Sequence, residues 1–200
     1  MQKDTLVIFD FDGTITTEDT INHFCAFHAG KLRVIMFFIT QAYSVLKYMI
    51  GTCTNARIKS MILNAFFGGM PYAEFVNIAE RYADMALPFI ENGACIKKIE
   101  WHKSQKHRIA IVSASPKEWI IPWAKKYGIE DIIASEMEII DDIVTGNISE
   151  EDNCYGANKL AFLRKKISNF ADYYIYSYAD SRSDAAILSI ADKAFYRRFE

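Results

Sequence analysis

One stretch constrains this chain more than any other: Leu6-Val-Ile-Phe-Asp-Phe-Asp-Gly-Thr14, an apolar run that ends in two carboxylates one residue apart. The apolar part is short, contains β-branched Val7 and Ile8 and stops at Gly13, the pattern of a strand buried on both faces of a parallel sheet. Asp10 and Asp12 then fall at the strand's carboxyl end, where open parallel sheets bind ligands. Asp10 can aim its carboxylate at a bound group, Asp12 can reach back from the loop, and Gly13 lets the backbone turn tightly. Such a pair can divide its work, one acid attacking while the other moves protons.

Asp10-Phe11-Asp12-Gly13-Thr14 after an apolar strand resembles the first motif of the haloacid dehalogenase-like superfamily, in particular its aspartate-nucleophile phosphatases. Three later stretches resemble the remaining motifs. A second buried strand over 108–112 runs into Ser113-Ala114-Ser115-Pro116, where the resemblance gives Ser113, with the backbone at Ala114, the holding of phosphate oxygens. Ser115 also reads as the N-cap of a helix with Pro116 at its first position and Glu118 closing a capping box. That helix would start at the phosphate, its free N–H groups favouring an anion. Lys159 opens a helix running to about Ile167; alone it would read as a surface charge, and the resemblance makes it the lysine that neutralises nucleophile and phosphate. After a strand over 173–178, Asp180 and Asp184 stand four apart in a strand-to-helix loop, similar to the acidic pair that binds magnesium, with Ala179 and Ser183 where the family often has Gly and Asn. The resemblance implies Mg2+ held by Asp10, the Asp12 backbone carbonyl and Asp180, with Asp184 supporting them, and oxygen donors of this kind suit magnesium.

The fold that follows is α/β, a doubly wound (Rossmann-like) parallel sheet core with an inserted all-helical cap. Residues 1–15 and 88–200 form the core, and 16–87 the cap. The cap shows four helix-like stretches, about 19–28, 32–50, 54–67 and 71–86, separated by glycines. Asp-Asp at 141–142 marks a hairpin, and the chain ends in a short strand within 194–200. The phosphoserine-phosphatase-like branch of the superfamily places a helical cap here, and such a cap would close over the site and read the substrate.

Within the cap, Asp19 lies nine residues after Asp10, near a glutamate position that reads a substrate amine in that branch; equally, an Asp there caps a helix. Arg57 roughly matches an arginine that binds the substrate carboxylate, against the commoner surface arginine, with Lys59 nearby. The run 34–50 is unusually apolar but interrupted by Thr40, Gln41, Ser44 and Lys47, so it is not read as a spanning helix. Three uses stay open for it: core packing, which is the usual fate of such faces, a homodimer contact, or a peripheral membrane contact with Lys31, Arg33 and Lys47 near the headgroups.

Two hundred residues suffice to bury a core, and 51% apolar residues with mixed charges describe a globular chain. A net charge of −2 gives no footprint for nucleic acid. Cys25, Cys53, Cys95 and Cys154 are widely spaced with no Cys-x-x-Cys pair, which argues against a zinc site and for reduced thiols in a cytoplasmic protein. The first residues run straight into the first strand, so no signal peptide is expected.

Together these readings describe a Mg2+-dependent phosphomonoester hydrolase working through an aspartyl-phosphate on Asp10, with a small phosphorylated metabolite such as phosphoserine as substrate. The greasy cap keeps a lipid phosphate of the phosphatidylglycerophosphate type as an alternative. From another class, a receiver-like phospho-acceptor switch also phosphorylates a strand-end aspartate, but it needs neither Asp12 nor a large cap.

Overall fold

A computed structural model describes residues 3–199. Its centre is a five-stranded parallel sheet. The first strand, β1 (Asp4–Phe9), lies between β2 (Arg108–Pro116) and β6 (Tyr173–Ala179), with β3 (Asp131–Ser135) and β7 (Lys193–Tyr196) at the edges, in the order β3-β2-β1-β6-β7. The chain leaves β1 toward β2 on one side and later returns to β6 on the other, so the carboxyl end of β1 is the point where strand order reverses. Asp10 follows the last residue of that strand.

Alternation along β1 sorts two cores. Val7 and Phe9 join Ile109, Ile111, Tyr178, Trp119 and Trp123 on one face, while Leu6 and Ile8 join Ala110, Val112, Ile175 and Leu163 on the other. Because both faces are covered, the middles of the central strands are continuous apolar runs, Leu6–Phe9 in β1 and Ile109–Val112 in β2. Helices α6 (Gly93–Ser104) and α7 (Lys117–Lys126) pack on the first face; α8 (Ala157–Lys166) and the short α9 (Ala185–Leu188) serve the second.

Five helices fill the interval between β1 and α6: α1 (Thr20–Ala29), α2 (Lys31–Thr40), α3 (Ala42–Met49), α4 (Asn55–Phe67) and α5 (Tyr72–Met85). The expected helix over 32–50 is therefore two helices that break at Gln41. Thr40 Oγ1 and the Gln41 N–H both donate to the Phe37 carbonyl, closing the first helix there. The reading of 34–50 as core is corrected in part: Val34, Phe37, Phe38, Val45 and Tyr48 pack inward, but the opposite sides of both helices are exposed. Among the described residues no helix is long and apolar enough to cross a membrane.

The hairpin of β4 (Ile139–Ile140) and β5 (Ile143–Val144) turns through Asp141 and Asp142, both left-handed at φ 49° and 61°, a pair of values that Asp tolerates better than most side chains. It is stitched to the cap rather than lying free beside the site. Val144 exchanges backbone hydrogen bonds with Gly69 and Met70, and Gly146 approaches Asn64 so closely that a Cβ would lie 2.3 Å from its backbone nitrogen.

Candidate active site

The site is a cavity of about 360 Å3 at the carboxyl end of the sheet, with a core floor and a cap roof. Asp10, Asp12, Lys159, Asp180 and Asp184 form the charged part of its wall; Asp19, Tyr48, Asn55 and Lys59 enter from the cap. Four elements that are distant in sequence thus place their strand ends or helix starts around one point.

Asp10 is 4% exposed, and its Oδ1 accepts from Lys159 Nζ at 2.5 Å. The same ammonium donates to Asp184 Oδ1. Burial opposes the charge on Lys159, but Asp10 and Asp184 outweigh it and leave the ammonium more tightly protonated than usual. Burial likewise pushes the Asp10 carboxyl upward, with Lys159 pulling back and Asp184 and Asp12 adding to the rise.

Carboxylate oxygens of Asp10, Asp180 and Asp184 lie within 4.8 Å of one another. Asp180 rests against Gly13, whose missing Cβ would lie 2.4 Å from Asp180 Oδ2. Its carboxyl is also raised, first by burial and then by Asp184. Arg197 Nε donates to the Asp180 carbonyl at 2.7 Å, so one arginine of the C-terminal strand region supports the site from behind. Three acids with a single ammonium among them leave a surplus of negative charge, and every donor is a hard oxygen. That set suits Mg2+.

Asp12 is held apart from this cluster. Its Oδ1 accepts from the Thr20 N–H at 2.7 Å and from Thr20 Oγ1 at 2.5 Å; its Oδ2 accepts from Ser115 Oγ at 2.8 Å and Ser113 Oγ at 3.2 Å. Thr20 opens α1, so the first turn of the cap orients an acid of the core. Trp119 Nε1 fixes Thr20 in turn by donating to its hydroxyl at 3.0 Å.

The second motif departs from expectation in two ways. Ser113 is fully buried beneath the cleft, where its hydroxyl accepts from the Ser115 N–H at 3.0 Å, and it is Ala114 and Ser115 that line the cavity. Ser115 does not cap α7: its hydroxyl is taken by Asp12, Pro116 holds the N-cap position, and α7 has no side-chain cap. A register shift between β2 and β3 over Ser113–Pro116 accompanies this arrangement. The Ala114 carbonyl there accepts from Ser135 Oγ at 2.7 Å and from Lys59 Nζ at 2.5 Å.

Asp19 is both the N-cap of α1, accepting from the Asn22 N–H at 2.9 Å, and part of the cavity wall. Although its residue surface is open to the cleft, the surrounding walls and then Asp12 push its carboxyl up to about 6. Arg57 is corrected. It is exposed and lines a separate depression with Tyr43, Lys47 and Met61. Lys59, about 200° further round α4, is the cation that reaches the site. It is 7% exposed, and Asn153 Oδ1 also accepts from it at 3.0 Å. Burial pulls its pKa down to about 8 against the pull of Asp12 and Asp19. The signal for Lys59 was its place among Ala56, Ile62, Leu63 and Phe66 on the buried stripe of an amphipathic helix, where a charge calls for a reason. Thr20 and Asn153 carried no signal, because only the tertiary fold brings them to Asp12 and Lys59.

The pattern of the haloacid dehalogenase-like hydrolases matches residues 7–189, which spans all four motif stretches. The chain belongs to this family. Among curated proteins, this hydrolase is 26% identical over 195 residues to the protein CicA of Caulobacter vibrioides, covering 97% of this chain and 86% of that one. It is 26% identical over 191 residues to an inhibition of morphological differentiation protein of Streptomyces azureus, with 92% and 68% covered. Among solved structures, a Bordetella pertussis protein of unknown function superposes with a TM-score of 0.81 at 18% identity, covering 98% and 90% of the two chains. A phosphoserine phosphatase carrying a phospho-aspartyl intermediate analogue superposes at 0.66 and 17% identity, covering 98% and 87%. The fold is that of the capped members of this family.

Proposed function

We propose that this hydrolase is a Mg2+-dependent phosphomonoesterase that works through an aspartyl-phosphate on Asp10. The observation that carries the reading is the separation of the two strand-end acids. Asp10 lies in the acid and lysine cluster, while Asp12 is held outside it by four donors. A nucleophile and a proton carrier need different surroundings, and here they have them.

In the first step an Asp10 oxygen attacks phosphorus, the bond from phosphorus to the departing oxygen breaks, and Asp12 delivers a proton to that oxygen. Water then attacks the aspartyl-phosphate, Asp12 takes the water's proton, and the bond between phosphorus and Asp10 breaks to release phosphate. Lys159 and the Ala114–Ser115 turn flank the phosphoryl group in this reading, and Ser113 acts by orienting Asp12. Asp10, Asp180 and the backbone at Asp12 would hold magnesium, with Asp184 behind them, and the ion would neutralise charge on the phosphoryl oxygens. A receiver-like switch has no use for an acid fixed as Asp12 is.

Cap residues of both signs face the cavity, Asp19 and Lys59, and would meet an amine and an anionic group of one small substrate such as phosphoserine. A lipid phosphomonoester is the second reading, favoured by the exposed apolar sides of α2 and α3. Phosphate release from phosphoserine, sugar phosphates, nucleotides, p-nitrophenyl phosphate and phosphatidylglycerophosphate, with magnesium and with chelator, tests both. Turnover that chelator and Asp10→Asn each abolish is expected. Turnover that persists in Asp10→Asn would refute the nucleophile.

A further inference from the structure

Helices α2 and α3 carry apolar residues on both their inner and outer sides, interrupted by Lys31, Arg33, Thr40, Ser44 and Lys47, and only the inner side of each is covered. On α2 the outer side is Leu32, Ile35, Met36 and Ile39, each more than half exposed and spaced as one helical stripe. On α3 the outer side is Tyr43, Leu46 and Met49, equally exposed, and Ile50 continues it. Single exposed apolar residues are ordinary on a protein surface, but paired stripes on consecutive helices mark an interaction face.

Charge indicates what that face meets. The chain holds 25 acids, yet none occurs from Thr20 to Ala73, where Lys31, Arg33, Lys47 and Arg57 are all exposed. Lys31 and Arg33 flank the first stripe and Lys47 the second. A second copy meeting this face across a two-fold axis would set those cations against their own equivalents with no acid of the face to pair with. Anionic headgroups would neutralise them. The face also adjoins the catalytic cleft, because Tyr48, on the inner side of α3, lines the cavity and accepts from Asn55 Nδ2 at 3.2 Å.

We propose that the outer faces of α2 and α3 dock the protein on an anionic lipid surface, with the apolar stripes in the headgroup boundary and the three cations among the lipid phosphates. The helices lie on the surface and do not span it. Docking of α3 brings a wall of the cleft against the bilayer. The proposal stands apart from the phosphatase reading, since vesicle binding is measured without turnover.

The test is co-sedimentation of the full chain with vesicles of phosphatidylcholine alone and of phosphatidylcholine with phosphatidylglycerol. Binding to the anionic vesicles that weakens about ten-fold on neutral vesicles, and again when salt is raised, is expected. The double variant Ile35→Glu with Ile39→Glu should lose binding about ten-fold, since each charge must then enter the apolar boundary. Its thermal melt and its turnover of p-nitrophenyl phosphate should stay as in the wild type. Failure of the wild type to sediment with anionic vesicles would overturn the proposal, as would undiminished binding by the folded double variant. A dimer in sedimentation velocity that the same substitutions dissociate would assign the face to a second copy and overturn it as well.

Discussion

Lys59 gives the sharpest test of the proposal that the cap meets the substrate. Its Nζ sits over the turn at Ala114, buried, with its pKa pulled down to about 8. If this ammonium meets an anionic group of the substrate, removing it costs one charge-assisted hydrogen bond, about 1.5–3 kcal/mol. That corresponds to a loss of about 10- to 150-fold in kcat/KM for Lys59→Gln. The pH profile adds a readout that mere packing would not move. Wild-type kcat/KM should fall above about pH 8, as Lys59 deprotonates, and level off near the Lys59→Gln value, and this limb should be absent from Lys59→Gln. Stability moves the opposite way. With the folded pKa below the unfolded value near 10.5, the unfolded chain holds the extra proton between the two, so wild-type stability should rise about 1.4 kcal/mol per pH unit across that window relative to the variant. Rate profiles on the preferred substrate and urea melts over the same pH range check both. An alkaline limb that persists unchanged in Lys59→Gln would refute the assignment.

Three further outcomes are expected. Thr20→Val removes one donor to Asp12 and leaves the Trp119 indole N–H unpaired, so kcat should fall about ten-fold and stability by about 1–3 kcal/mol, read by single-turnover kinetics and thermal melts. Gly13→Ala forces a Cβ to 2.4 Å from Asp180 Oδ2 at φ 78°, so Asp180 must move, and magnesium affinity measured by calorimetry should drop at least about ten-fold. His102 is fully buried between Tyr178 and His107, with its pKa lowered by burial to about 3. Its neutral form belongs to the fold while the unfolded chain protonates near 6.5, so between pH 7 and 5 the wild type should lose about 2 kcal/mol more stability than His102→Gln.

The charged floor of the cavity was legible because Asp10 and Asp180 directly follow apolar strands and a parallel sheet gathers strand ends at one edge, while Lys159, in the first turn of α8, was legible only through the family resemblance. Asp10, Lys159, Asp180 and Asp184 come together as their stretches implied. The cap was legible as helices and poorly legible as a wall of the site. Arg57 and Lys59 differ by two positions, and helical pitch alone sends one to solvent and the other to the cleft. Nor could periodicity show which apolar residues of α2 and α3 would be covered, since both sides of each helix carry them and such faces usually read as core. Ser115 misled for a related reason: as a local capping signal it was sound, but the Asp12 carboxylate, distant in sequence in the loop after β1, competed for its hydroxyl and won.

That competition also shows why cap and core cannot be assigned separate duties. The first turn of α1 offers its free N–H to Asp12, the acid expected to move protons, while α4 offers Lys59 to a carbonyl at the bulge of β2. The segment that follows the hairpin fastens the cap a third time, through Ser60 Oγ to the Ile148 carbonyl and Asn64 Nδ2 to the Thr145 carbonyl. A rigid displacement of the cap therefore changes the orientation of Asp12 and the reach of Lys59 together. In the proposed reaction, substrate selection and proton transfer would be coupled through the same helices, and a face of α3 that rests on a bilayer would be mechanically continuous with both.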